Sequence, residues 1–201
     1  MRISTPPPGH AHRLYLAQLC DYLHKSEQIQ AAWDAYSAGH SDPETAQPYD
    51  ADAYAHRQNQ RNEDTLGAFG RVYYHADELV SAAEQQLVQM PASDHALRHA
   101  WQLLQLGVST KRLYEAHDAW LDDRHKLPKD AVEGTAAYEE RLAEFHAEAW
   151  PHLHQWSLHG RALIEINELA HQQQPGQGQS LVPAMAKPVP AASAKPSAPR
   201  R

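Results

Sequence analysis

The sequence predicts an all-α protein: an antiparallel four-helix bundle of long helices, followed by a Pro/Ala-rich basic C-terminal tail. Three observations lead there. Apolar residues recur every three or four positions through four long segments, Pro- and Gly-rich breaks separate those segments, and the last 29 residues have a different composition altogether. At 201 residues, 42% of them hydrophobic, the chain suffices for one domain with a real core. The expected organisation is a flexible N-terminal segment over 1–9, a helical bundle domain over 10–172 and a disordered basic tail over 173–201, whose composition buries too little apolar area to offset its chain entropy.

The first segment, 11–38, follows Pro6-Pro7-Pro8-Gly9 and places Tyr15, Leu19, Tyr22, Ser26, Ile29, Trp33 and Tyr36 in alternating steps of four and three. Such steps align side chains along one side of a helix. A linker from Gly39 to Asp50 comes next, with room for one turn at Ser41-Asp42-Pro43-Glu44, because proline suits a first helical position. Asp50 or Asp52 can cap the second helix. Its first turns, Ala53 to Asp64, are nearly all polar and are expected to project or fray. Its stripe then runs through Leu66, Phe69, Tyr73, Ala76, Val80, Ala83 and Leu87.

Pro91-Ala92 ends that helix and Ser93-Asp94 caps the third, whose stripe is Leu103, Leu106, Thr110, Leu113, His117 and Trp120. Leu97, Trp101, Leu104 and Val108 are expected to widen the same face, and Gly107-Val108-Ser109-Thr110 is a place where this helix could break. After Leu127-Pro128-Lys129-Asp130, the pair Asp130 and Glu133 has capping-box spacing, although Gly134-Thr135 can delay the start. The fourth stripe keeps phase from Tyr138 to Ala170 across Pro151, which predicts one kinked helix rather than two.

Charge limits the partners. Residues 10–172 hold 13 basic and 25 acidic side chains, net −12, and the last 29 hold four basic side chains and no acid. So acidic a body does not suit duplex DNA, where phosphate neutralisation supplies most of the affinity. No run of about 20 apolar residues spans a membrane, and Met1 to Gly9 lacks the apolar core of a signal peptide. The single cysteine, Cys20, allows no internal disulfide and suggests a reducing, cytoplasmic setting. Between Leu19 and Leu23 it reads as a small apolar filler.

Fifteen histidines are the compositional oddity. Most fall on polar faces, linkers or ends, but His117, His152 and His159 occupy stripe positions. In an ideal hairpin of the last two helices His99 and His159 share a layer, His95 lies one turn before His99, and Glu84 reaches a similar level. Glu84, His95, His99 and His159 are therefore the candidate ligands of a transition metal such as zinc, or a titrating polar cluster. More often such histidines hydrogen-bond within a bundle and set its register. No His-Glu-x-x-His, Cys-x-x-Cys, Gly-x-Ser-x-Gly or phosphate-loop pattern is present. An opened backbone near Pro151, flanked by His146, Glu148, His152 and His154, could form a small polar pocket. Gly67, Gly70, Gly107 and Gly160 inside helices point to close helix approach.

The tail carries two Ala-Lys-Pro repeats and ends in a proline-x-x-proline core with trailing arginines. Pro196, Pro199, Arg200 and Arg201 are its candidate interaction residues. Function is thus expected to be that of a non-enzymatic interaction or regulatory bundle binding a protein partner, through its surface or tail, with a homodimer among the partners it allows. The alternatives are a histidine-based metal-binding or pH-responsive bundle and, last, a small enzyme with a polar pocket.

Overall fold

The computed structural model describes residues 9–172. Six helices account for nearly all of them: α1 (His10–His40), α2 (Ala51–Tyr73), α3 (Ala76–Val88), α4 (Asp94–Lys126), α5 (Ala136–His159) and α6 (Arg161–Gln172). α2 with α3, and α5 with α6, form two interrupted rods, so the architecture is the antiparallel four-helix bundle that the stripes call for. α1 packs chiefly on α2, α4 on α5, and the two interrupted rods meet through α2 with α5 and α3 with α6. Ring contacts record the antiparallel register: Trp33 meets Tyr54, Tyr15 meets His75, and Trp120 meets Tyr138.

The core follows the seams. Leu19 and Tyr22 of α1, Phe69 and Leu79 of α2 and α3, Leu103, Leu106 and Leu113 of α4, and Leu153, Trp156, Leu163 and Ile166 of α5 and α6 are all essentially inaccessible. Each such side chain removed from water contributes about 1.5–3 kcal/mol. Phe69 packs between Tyr22 and Trp156, with ring centroids 4.9 and 5.1 Å apart.

Two of the long stripes are interrupted where the sequence suggests continuity. The α2–α3 break falls at Tyr74-His75, where Tyr74 turns outward and the His75 ring stacks on Tyr15 at 3.6 Å. The fourth stripe does not break at Pro151, which lies within α5, but at Gly160. This turn packs so closely on α1 that it requires glycine: a Cβ there would stand 2.6 Å from the Trp156 carbonyl and 3.2–3.3 Å from Leu23 and Leu19. Gly67, Gly70 and Gly107 have nothing within 4 Å of that position, so close approach explains Gly160 alone among the four.

Local chemistry sets the ends. Asp50 accepts from the Ala53 N–H and Ser93 from the Ala96 N–H, as N-caps do. Gly134-Thr135 does delay α5, while Glu139 accepts from the Gly134 N–H. The Gly39–Asp50 linker folds into a turn in which Asp42 accepts from the N–H groups of Glu44 and Thr45. α4 runs unbroken through Gly107–Thr110, where the Thr110 hydroxyl donates to the Leu106 carbonyl at 2.8 Å within the helix. The polar start of α2 is docked, not frayed: Tyr54 sits against Trp33, and its hydroxyl lies 2.7 Å from that of Ser37. Cys20 is exposed and free, not a core filler, because the Leu19–Leu23 seam turns it outward.

Candidate protein-interaction face

α4 carries two apolar stripes on opposite sides. His99, Leu103, Leu106, Thr110 and Leu113 face inward and are buried. Leu97, Trp101, Leu104 and Val108 are 71%, 53%, 60% and 51% exposed. They do not widen the core face. A rise of 100° per residue puts Leu104 about 200° from Leu106, and the two sets of residues interleave on opposite sides of one helix. α3, α5 and α6 pack on α4 from the inner side. Among the described residues none covers the outer stripe. At its margin the His159 ring of α5 meets the Trp101 ring edge to face at 5.0 Å. Burial lowers the His159 pKa, which favours the neutral ring beside the indole.

The outer stripe is bounded by charge and by small residues. Asp94 and Lys111 stand at its two ends, both exposed. Ala100 and Gly107 flank it on the side of α3, and the Gly107 backbone faces open space. A helix laid along this seam could approach closely.

The histidines distribute differently from the hairpin arithmetic. His99 is 1% exposed, and its Nε2 lies 3.2 Å from Glu165 Oε2 of α6. The His95 ring stands edge-on to His99 at 4.9 Å. His159, at the expected level, is turned to Trp101 instead, and Glu84 is exposed on α3. The structure thus brings His95 and His99 together, adds Glu165, and does not unite them with His159 or Glu84. Among the described residues, no group of three or more His, Cys, Asp or Glu side chains is arranged to hold a metal ion. Pro196, Pro199, Arg200 and Arg201 lie outside the described residues.

Two further features were not visible in the sequence. Arg61, 7% exposed, places its guanidinium 4.5 Å from the Trp33 ring and 3.7 Å from the Trp150 ring, joining α1, α2 and α5. It donates to Asn62 Oδ1, and burial lowers its pKa. Nothing in the polar run around it marks this arginine; only tryptophans on two other helices do. An open groove of about 470 Å³ between α1 and α5 is lined by residues that include Glu27, Asp34, His154 and Arg161. His154, from the region flanking Pro151, borders it. Its serine hydroxyls are already committed: Ser26 donates to the Leu23 carbonyl, and Ser157 lies 2.9 Å from the Tyr22 hydroxyl and donates to the Leu153 carbonyl. The groove therefore offers polar contacts, and both serine hydroxyls donate to backbone carbonyls.

Comparison with protein-family models, curated proteins and solved structures found no match to this chain. No helix among the described residues is long and apolar enough to cross a membrane.

Proposed function

We propose that this protein is a non-enzymatic helical-bundle interaction protein that docks a helical protein partner on the outer face of α4. One observation supports the reading above all others. Leu97, Trp101, Leu104 and Val108 repeat in steps of four, three and four, as a buried seam does, yet all four are more than half exposed. Single apolar residues on a surface are ordinary, but a contiguous stripe with coiled-coil spacing is a surface that another helix fills. The protein core does not need these residues, since α4 already contributes Leu103, Leu106 and Leu113 to it.

A photo-cross-linking amino acid placed at Leu104, with a second at exposed Gln58 of α2 as a control, tests the reading in cells that express the full chain. Protein adducts should form from position 104 and not from position 58. Absence of adducts at 104, or equal yields at both positions, would overturn it.

A further inference from the structure

We infer that the partner seated on this face is a second copy of the chain, its α4 packed antiparallel on the first about a two-fold axis between Gln102 and Leu103. The inference rests on the docking role of α4 and adds its occupant. About that axis Leu97 of one copy faces Val108 of the other, and Trp101 faces Leu104, so every apolar side chain of the exposed stripe meets an apolar side chain. The next layer outward pairs Asp94 with Lys111 of the second copy, and by symmetry this opposite-charge layer occurs at both ends of the seam.

Charge selects this arrangement over its competitor. A parallel pairing in register would set Asp94 against Asp94 and Lys111 against Lys111, with Trp101 confronting Trp101. Lys111 is 79% exposed, and its ion-pair partner among the described residues is Glu115 at 3.8 Å, an open surface contact that it can exchange for one on a second copy. The small flank fits as well. Ala100 and Gly107 lie along one edge of the seam, and among the described residues nothing outside the local turns of α4 comes within 4 Å of where a Gly107 Cβ would sit. A glycine weakens the interior of a helix, and no crowding among the described residues requires one here. Close approach of a second α4 supplies the reason.

Sedimentation equilibrium of the full chain over a wide concentration range tests this. A reversible monomer–dimer equilibrium is expected. Leu104→Asp should raise the dissociation constant by at least about a hundredfold while leaving the melting temperature of the monomer unchanged, because the side chain lies outside the core. Asp94→Lys and Lys111→Asp should each raise it about tenfold, since each breaks two symmetric pairs, and the double reversal D94K/K111D should restore it. In a Cys20→Ser background, mixed Leu97→Cys and Val108→Cys chains should join by a disulfide on oxidation, and two Leu97→Cys chains should not. A chain that stays monomeric throughout overturns the second copy as occupant. If position 104 still cross-links to another protein in that case, the docking role stands without it. A dimer indifferent to Leu104→Asp, a double reversal that restores nothing, or linkage between two Leu97→Cys chains would each overturn the antiparallel seam.

Discussion

The Tyr22 hydroxyl on α1 donates to the Leu153 carbonyl on α5 at 2.6 Å, across 131 residues of sequence, and lies 2.9 Å from the Ser157 hydroxyl. Burial holds the phenol far above its usual pKa, so it is a neutral donor at any physiological pH. Together these contacts tie the first rod to the last at the level of Phe69 and Trp156.

Tyr22→Phe keeps the ring and deletes the donor. The Leu153 carbonyl then has no Tyr22 proton, and the cost should be about 1–2 kcal/mol. Urea unfolding of the variant should show a lower midpoint with an unchanged slope. An unshifted midpoint would show that the Leu153 carbonyl does not depend on Tyr22, the Ser157 hydroxyl that already donates to it being sufficient.

Glycine substitutions should separate by sign. Gly67→Ala adds a methyl group in open space within α2 and should stabilise the fold by about 0.5–1 kcal/mol. Gly160→Ala forces a Cβ to within 2.6 Å of a backbone carbonyl and against Leu19 and Leu23, so it should destabilise. Thermal melts of the two variants check both directions. Two shifts of the same sign would contradict the crowding assigned to Gly160.

The two faces of α4 should respond oppositely to truncation. Leu106→Ala leaves a cavity at a fully buried site and should cost about 2–5 kcal/mol. Leu104→Ala, on the exposed face, should change the stability of the monomer by less than about 0.5 kcal/mol. Unfolding measured at a concentration where the monomer predominates distinguishes them, and similar losses at both positions would show that the outer stripe is covered.

Stability should fall on mild acidification. Burial lowers the pKa of His146, His152 and His159 below the unfolded value of about 6.5. Between those values the unfolded chain binds protons that the folded chain does not. The folded state is therefore at its full stability above about pH 6.5 and loses stability as pH falls from there through the depressed folded values. Urea midpoints at pH 7.5 and 5.5 should differ in that sense, and substituting the three histidines by Gln or Asn should flatten the difference. A midpoint that rises on acidification would contradict the burial assigned to these rings.

Much of this was legible in the residues themselves. Alternating three- and four-residue steps are the imprint of a helix with one wet and one dry side, and they located Leu19, Tyr22, Phe69, Leu103, Leu106 and Trp156 in the core. Asp50 and Ser93 announced the starts of α2 and α4, because capping is a local bond between a side chain and an N–H three residues on. The candidate interaction face was half legible. Leu97, Trp101, Leu104 and Val108 stand out as apolar, but spacing alone does not say which of two opposite stripes meets the rest of the bundle.

Periodicity and capping are properties of neighbouring residues, and so the sequence by itself determined the helical character of the chain, its four rods and their antiparallel order. Which stripe of α4 faces inward, which ring His159 meets, and that Arg61 lies between Trp33 and Trp150 were decided only by tertiary structure. The same holds for the break at Gly160 instead of Pro151. Each depends on atoms brought together from helices far apart in the chain, where packing selects one rotation of each helix from several that its own sequence permits.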